Sequence, residues 1–345
     1  MTPRARSGGA TRRVIFGCEG TRLTDWEASF FAESRPLGFI LFARNCESPD
    51  QVRGLVASLR ETIGDPLAPI LMDQEGGRVL RLKPPQWPAL PAARRFGELA
   101  ERGDPGAERA LELFARLLAA QLLDLGISVD CVPLLDLRLP TAHDVIGDRA
   151  FGDDPELVAR LGRVVCDVLL ASGVMPVVKH MPGHGRAKVD SHAELPLVEA
   201  SREALEATDF APFRALKDAP WGMTAHVLYQ AIDPERPATT SPRVIAEVIR
   251  GWIGFDGVLV SDDLSMEALE GDVGSRARAA LEAGCDLALH CNGEAAEMEA
   301  VAANVDEMTA ATHRRLEAAA ARLAPAAQAD AAALRRQLDA HLAEV

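Results

Sequence analysis

Paired cysteines are absent from this chain, although its 345 residues include six cysteines. No two of them form a C-x-x-C pair, so the sequence gives no support to a zinc-ribbon site. Several sit in apolar runs, where a thiol acts as a small buried hydrophobe. A long chain without disulfide spacing fits a reducing compartment. The six positions are Cys18, Cys46, Cys131, Cys166, Cys285 and Cys291.

Long hydrophobic runs are also absent. No window approaches the ~18 apolar residues that a membrane-spanning helix needs, so no association with a membrane is expected. The apolar run at residues 14–16, behind the basic N-terminal residues, is too short for a signal-peptide core. We therefore expect residues 1–12 to form a basic flexible tail and the protein to be cytoplasmic.

Positive charge is in short supply, with 37 Lys and Arg against 51 Asp and Glu and a formal net charge of −14. An acidic surface repels phosphates, so nucleic acid is not an expected partner. The pair Gly76-Gly77 does not belong to a G-x-G-x-x-G loop after a strand, so no dinucleotide site is expected. The sequence indicates no cofactor of any other kind.

Hydrophobic residues make up 48% of the chain, which is enough for a sizeable core. Short β-branched runs alternate with helix-like stretches, a pattern that predicts βαβ units and a parallel sheet. Eight such units predict a (β/α)8 barrel; a doubly wound open sheet is the alternative, because periodicity alone does not separate the two. The predicted strands are residues 13–16, 38–42, 69–72, 127–132, 174–178, 222–225, 257–260 and 286–289. The predicted helices are residues 49–63, 106–125, 155–171, 201–217, 242–252 and 275–283.

No linker divides the sequence, so residues 1–345 are expected to form a single catalytic barrel domain. Residues 306–345 are rich in Ala and Leu and predict one or two helices at the C-terminal end. The connections at residues 80–96 and 133–154 are long, and long loops in a compact domain are usually functional or disordered.

Polar side chains follow the ends of the predicted strands. The carboxyl ends of parallel barrel strands open on one face, where active sites are built. Several groups that titrate or form hydrogen bonds at this face favour an enzyme without naming its reaction. These residues are Asp73, Lys179, His180, His226, Asp262 and His290.

The loop that begins at Lys179 is compatible with three chemistries. His180, His184 and His192 supply three nitrogens for a metal, although Pro and Gly between them disturb the regular spacing, and no metal is expected. Lys179 at a strand end is a candidate Schiff-base nucleophile. In the third chemistry, glycoside cleavage, Asp190 orients the imidazole of His192 for proton transfer, and a second strand end supplies the nucleophile.

Four motifs lie in order along the chain. From the N-terminal side they are Ile70-Leu-Met-Asp-Gln-Glu-Gly-Gly-Arg-Val79, Val145-Ile-Gly-Asp-Arg-Ala-Phe-Gly152, Lys179-His-Met-Pro-Gly-His-Gly185 with Asp190-Ser-His192, and Phe255-Asp-Gly-Val-Leu-Val-Ser-Asp-Asp-Leu-Ser-Met266. Together they resemble the signatures of glycoside hydrolase family 3, in its bacterial β-N-acetylhexosaminidase branch. Leu41-Phe-Ala-Arg-Asn45 is a weaker match, and Met181 replaces a Phe that is usual in the family.

The resemblance implies a retaining hydrolase with no cofactor, in which Asp262 forms a covalent glycosyl intermediate. It assigns His192 as acid/base and Asp190 as the group that orients it, a departure from the usual pair of carboxylates. It also implies that N-acetylglucosamine is held by Asp73, Arg81, Arg149, Lys179 and His180.

Other polar residues near these motifs are expected to play supporting parts. Asp263 directly follows the nucleophile and is interpreted as a structural residue. His184 is expected to brace its loop by a hydrogen bond, and Asp136 to cap or brace a loop as well. Glu75 is expected to accept hydrogen bonds from loop N–H groups. The sequence leaves the roles of His226 and His290 open, between contact with substrate and structural support.

The implied substrates are N-acetylglucosaminyl saccharides, among them muropeptide fragments of cell-wall recycling, and the expected oligomeric state is a monomer. Two alternatives stay open at this point. Phosphate could replace water at the same intermediate, which would make the protein a phosphorylase. The chain could also be a sugar-binding barrel without catalysis, although the presence of Asp262, Asp190 and His192 argues against that interpretation.

Overall fold

A computed structural model describes residues 10–139, 144–191, 194–326 and 329–343. It contains ten strands: β1 Arg12–Phe16, β2 Pro36–Leu41, β3 Ile70–Met72, β4 Val129–Asp130, β5 Met175–Met181, β6 Leu197–Val198, β7 Trp221–Thr224, β8 Leu228–Tyr229, β9 Val258–Asp263 and β10 Leu287–His290. Eight of them form a closed barrel in the order β1-β10-β9-β7-β5-β4-β3-β2, and β6 pairs with β8 in a separate two-stranded sheet.

The barrel closes between the first and last strands. β1 pairs in parallel with β2 on one side and with β10 on the other, where Ile15 lies beside Leu289. The remaining neighbours in the barrel are also parallel. The predicted (β/α)8 barrel is therefore confirmed. The open doubly wound sheet is excluded, because an open sheet has two edge strands, whereas each of these eight strands has a neighbour on both sides.

Helices cover the outside of the barrel: α1 Asp25–Ser34, α2 Pro49–Thr62, α3 Ala93–Glu101, α4 Ala107–Asp124, α5 Pro155–Ser172, α6 Arg202–Ala207, α7 Ala211–Ala215, α8 Val273–Ala283, α9 Ala295–Ala302, α10 Ala310–Ala320 and α11 Ala331–Ala343, with a π-helix at Val244–Trp252. Local signals define many of their ends. Asp154 caps the start of α5, Pro155 occupies its first turn, and Gly173 ends it in the left-handed conformation.

The structure differs from the predicted helices in four places. The predicted helix at residues 201–217 is two short helices, α6 and α7, because Pro212 lacks an N–H and is tolerated only in the first turn of the second helix. The predicted loop at residues 80–96 already contains the start of α3. The sequence analysis also missed α1 and α9, which follow β1 and β10 around the barrel.

Alternation along the strands divides the core into two layers. In β1, Ile15 belongs to the cluster inside the barrel, whereas Val14 and Phe16 belong to the cluster between the barrel and its helices. Successive side chains of a strand point to opposite faces, so each strand contributes to both layers. With both faces covered, the polar strand ends are left at the two mouths of the barrel.

The chain ends have distinct structures. Residues 1–9 of the expected tail lie outside the described residues, and Arg12 begins β1. The C-terminal segment contains α10 and α11, and α11 packs against α4. Within the described part of the chain, no helix combines the length and apolar character that crossing a bilayer requires.

Candidate active site

A cavity of about 240 Å³ lies at the carboxyl ends of the barrel strands. Six of the residues expected to act on a sugar line it: Asp73, Arg81, Arg149, Lys179, His180 and Asp262. They come from different strands and loops, and the barrel brings them together. The other residues that line the cavity are Ile40, Phe42, Glu75, Val79, Val145, Ile146, His184, Ser191, Met223, Asp263, Met266, Leu289 and Cys291.

A chain of alternating charges crosses this cavity, and we call it the charge ladder: Arg81, Asp73, Lys179, Glu75 and Arg149. Asp73 accepts from Arg81 Nη2 at 3.0 Å and from Lys179 Nζ at 2.7 Å. Lys179 Nζ also lies 2.6 Å from Glu75 Oε1. Glu75 in turn binds Arg149 through two parallel contacts of 2.8 Å each. Every charge of the ladder therefore has a partner of opposite sign.

The ladder keeps its members ionised. Burial opposes the ionisation of Asp73, but Lys179 and Arg81 outweigh it and hold the pKa of Asp73 well below its usual range. Burial likewise opposes the ionisation of Glu75, and Arg149 and Lys179 lower its pKa to about 2. Burial disfavours the ammonium of Lys179, but Asp73 and Glu75 raise the pKa of Lys179 above its ordinary value. The cavity thus presents fixed charges and hydrogen-bond donors rather than neutral acids.

Glu75 corrects one expectation from the sequence. It was expected to accept from loop N–H groups, but its carboxylate binds the side chains of Lys179 and Arg149. Its side chain is only 5% exposed, so the two cations replace the water that it has lost. Its place in the run after β3, two residues beyond Asp73, is the signal that could have marked it as part of the site.

Two adjacent carboxylates end β9, and their surroundings differ. Asp262 lines the cavity, and its Oδ1 accepts the backbone N–H of Asp263 at 2.8 Å. Burial would raise the pKa of Asp262, but His180 and His226 outweigh it, so the pKa lies below its ordinary value. Asp263 accepts from Ser265 Oγ at 2.6 Å and from the N–H of Cys291 at 3.2 Å. Asp263 therefore joins β9 to the loops around it, while Asp262 is an ionised group at the cavity.

His180 is oriented by a buried carboxylate. Asp136 Oδ2 lies 2.7 Å from His180 Nδ1, which leaves His180 Nε2 as the ring nitrogen with no contact to Asp136. Asp136 is fully buried, and its pKa lies below the ordinary value because His180 and then His184 outweigh the effect of burial. The sequence assigned Asp136 only to loop bracing. Its position after the predicted fourth strand is the same strand-end signal that marked the other site residues.

The predicted acid/base segment is described only in part. Asp190 is half-buried, and its carbonyl oxygen accepts from Glu194 N at 3.1 Å. Ser191 is buried and lines the cavity, with its Oγ 3.2 Å from His184 Nε2. This contact is the loop-bracing hydrogen bond that the sequence predicted for His184. His192 lies outside the described residues.

Two histidines that the sequence left open have no place in the cavity wall. His226 contacts Thr239 Oγ1 at 2.7 Å through Nδ1 and the carbonyl of Asp263 at 2.9 Å through Nε2. Both of its ring nitrogens are thus occupied, and burial lowers its pKa. His290 is buried at the end of β10, packs edge-on against Phe16, and lies 3.6 Å from Glu297.

Metal binding was one alternative for the histidines of this loop. Across the described ranges, no group of three or more His, Cys, Asp or Glu side chains has the arrangement of a metal site. The nitrogens His180 Nδ1 and His184 Nε2 already contact Asp136 and Ser191.

Comparison with known families gives one match that covers most of the chain. Residues 22–326 match the family described as "Glycosyl hydrolase family 3 N terminal domain". These residues include the charge ladder, Asp262 and the Asp190–Ser191 segment.

Individual proteins give similar results. The chain is 44% identical over 284 residues to a "Beta-hexosaminidase" of Alkalilimnicola ehrlichii, which covers 81% of this chain and 80% of that protein. A protein of the same name from Pseudomonas aeruginosa is 40% identical over 289 residues, or 82% of this chain and 83% of the relative.

Solved structures agree in fold. NagZ from Neisseria gonorrhoeae, in complex with N-trifluoroacetyl-D-glucosamine, is 31% identical with a TM-score of 0.83 over 97% of both chains. A family 3 β-N-acetylglucosaminidase from a Paenibacillus species is 33% identical with a TM-score of 0.81, over 94% of this chain and 66% of that one.

Proposed function

Because the chain belongs to glycosyl hydrolase family 3, and is therefore a glycoside hydrolase, we propose that it is a retaining exo-β-N-acetylglucosaminidase. The proposed reaction removes a terminal β-linked N-acetylglucosamine. The observation that carries this proposal is the position of Asp262, a carboxylate with a lowered pKa that lines the same cavity as the charge ladder. The β-hexosaminidase relatives support the identity of the sugar.

In the proposed mechanism, Asp262 is the nucleophile. One of its carboxylate oxygens forms a bond to the anomeric carbon while the glycosidic bond breaks, and His192 gives its proton to the departing oxygen. Water then attacks the same carbon, loses a proton to His192, and releases Asp262 as a carboxylate. Asp190 orients His192 and stabilises its charged form. Two inversions at the anomeric carbon give net retention.

The charge ladder and His180 are proposed to hold the sugar. Asp73 can accept from adjacent hydroxyls, while Arg81, Arg149 and Lys179 donate to hydroxyl and acyl oxygens. Since their charges are already paired, these groups are fixed before the sugar arrives, and preorganised donors lower the cost of binding. The cavity of about 240 Å³ is small for a ligand site, which favours a single terminal sugar unit.

The first test is the variant Asp262→Ala, assayed with p-nitrophenyl N-acetyl-β-glucosaminide. Loss of a covalent nucleophile should lower kcat by roughly 10⁴-fold or more. Asp256→Ala is the matched control, because Asp256 is an exposed aspartate that contacts Arg315. NMR of the first-formed sugar should show the β-anomer. Full activity of Asp262→Ala would contradict the proposal.

We further propose that the barrel works as one catalytic domain in the cytoplasm, on muropeptide fragments that carry a terminal N-acetylglucosamine. Comparing aryl N-acetylglucosaminide with aryl glucoside tests the specificity, and the N-acetyl sugar should be cleaved preferentially.

The assay of the aryl N-acetylglucosaminide with and without phosphate separates hydrolysis from phosphorolysis. Free N-acetylglucosamine is the expected product in both cases, and sugar 1-phosphate would show the phosphorylase alternative to be correct.

A further inference from the structure

His184 lies in the cavity wall, yet the proposed mechanism gives it no task. Its side chain is buried at 3% exposure, and its ring lies 5.7 Å from that of His180 in an edge-to-face arrangement. The reacting groups proposed above are Asp262 and His192. The contacts of His184 suggest a role in placing one of them.

The backbone around His184 is held firmly at the end of β5. Asp136 Oδ1 accepts the backbone N–H of His184 at 2.6 Å, and the Tyr229 hydroxyl donates to the carbonyl of Gly183. A Cβ at Gly185 would come within 2.5 Å of the Leu137 carbonyl oxygen, so the turn packs closely on the chain beyond β4. The backbone that carries the imidazole of His184 is therefore anchored by hydrogen bonds and close packing.

The side chain of His184 contacts Ser191, which belongs to the predicted acid/base segment Asp190–His192. Its Nε2 lies 3.2 Å from Ser191 Oγ, and Ser191 is only 3% exposed. Ser191 stands between Asp190 and His192 in the sequence. The hydrogen bond to His184 therefore holds the residue that links the two members of the proposed proton-transfer pair along the chain.

We propose that His184 is a positioning residue for acid/base catalysis, which acts by holding Ser191 through the Nε2–Oγ hydrogen bond. This inference rests on the proposed function and deepens it. The same carboxylate, Asp136, contacts His180 and His184, so the sugar-holding residue and the acid/base segment share one buried anchor.

The charge state of His184 suits this task. Burial and the nearby His180 lower the pKa of His184 to about 4, so the ring is neutral at physiological pH. A neutral imidazole can share a hydrogen bond with the Ser191 hydroxyl without adding a positive charge to the cavity wall. General acid catalysis is worth roughly 10²- to 10⁴-fold and depends on the position of the donor.

The test uses two substrates that differ in their need for a general acid. The 2,4-dinitrophenolate of an aryl N-acetylglucosaminide departs without a proton, whereas the sugar alkoxide of N,N′-diacetylchitobiose needs one. Comparing kcat/KM confines the measurement to the steps up to glycosyl transfer. For Ser191→Ala and His184→Gln, we expect kcat/KM to fall roughly 10-fold or more on the disaccharide and less than about threefold on the aryl substrate.

The variants are matched to controls. His313→Gln changes an exposed histidine of α10 and should leave both substrates unaffected. The double variant should lose no more than either single variant, because both changes break the same contact. If His184→Gln fails to fold, as judged by circular dichroism, Ser191→Ala still breaks the hydrogen bond at a smaller side chain.

Two results would overturn the inference. Equal losses on both substrates would show that His184 and Ser191 serve sugar binding or stability only, and unchanged disaccharide cleavage would show that the contact has no function. Both results presuppose an active wild-type enzyme. A wild-type protein that cleaves neither N-acetylglucosaminide would instead contradict the proposed function itself.

Discussion

At the scale of single residues, the buried carboxylate of Glu75 is expected to stabilise the fold, because it contacts both Lys179 and Arg149. In Glu75→Gln the shape is kept and the charge is lost, so both cations lose a counter-charge that burial makes important. We expect the free energy of unfolding to fall by about 3 kcal/mol, because a broken buried pair leaves charge uncompensated. We also expect KM to rise more than kcat falls. Urea titration and steady-state kinetics measure the two effects.

The contribution of Glu75 to the free energy of unfolding should depend on pH, because folding lowers the pKa of its carboxyl group. Glu75 has a pKa of about 2 in the folded protein and about 4.3 when unfolded. Its stabilising effect is therefore complete above the unfolded value and is lost as the pH falls through the folded value. The gap in unfolding free energy between wild type and Glu75→Gln should narrow between about pH 5 and pH 2. A gap that stays constant with pH would contradict the ladder as described.

At the scale of elements, the two ends of the barrel strands carry different duties. The carboxyl ends supply the cavity, while Asp286, just before β10, joins elements at the opposite end. Its Oδ2 accepts from Arg250 at 2.8 Å and from the N–H of Leu259 at 3.0 Å, and its Oδ1 accepts from Arg315 at 2.9 Å. One buried carboxylate thus connects the π-helix, β9, β10 and α10.

Because Asp286 lies at the end opposite the cavity, its loss should lower the stability of the protein without changing its activity. Asp286→Ala leaves two arginines without a buried partner and should lower the free energy of unfolding by about 3 kcal/mol. In folded protein at 25 °C, its kcat and KM should equal those of wild type, because the change is remote from the cavity. Asp256→Ala removes an exposed partner of Arg315 and should cost less than about 1 kcal/mol. A large fall in kcat for Asp286→Ala would show that the two ends are coupled.

At the scale of the whole molecule, the surface favours a single chain in solution. Among the described residues, the exposed large hydrophobic side chains are Trp26, Leu67 and Leu197. They lie on α1, before β3 and in β6, which are separate elements. The formal net charge of −14 adds repulsion between copies.

We therefore expect the protein to be a monomer of 37.0 kDa at micromolar concentration. Sedimentation equilibrium at low and at physiological salt measures this directly. The mass should be the same under both conditions. A dimer that forms only when salt screens the charges would show that repulsion, rather than the absence of a docking surface, keeps the copies apart.

Local sequence patterns were sufficient to predict the barrel strands and the approximate ends of α2, α4, α5 and α8. Alternating apolar runs located all eight barrel strands, and the Asp154-Pro155 and Gly173 signals bounded α5, because each of these features depends on neighbours along the chain. Strand-end positions also placed Asp73, Lys179 and Asp262 at one face, and six expected site residues do line one cavity.

The pairing of these residues depends on the three-dimensional fold. Glu75 and Arg149 are 74 positions apart, Asp73 and Lys179 are 106 apart, and Asp136 and His180 are 44 apart. No local pattern predicts such contacts, because they depend on the closure of the barrel between β1 and β10 and on the order of its strands. The sequence determined which groups reach the mouth of the barrel, and the closed barrel decided which charge neutralises which, since electrostatic energy depends on distance in space and not on separation along the chain.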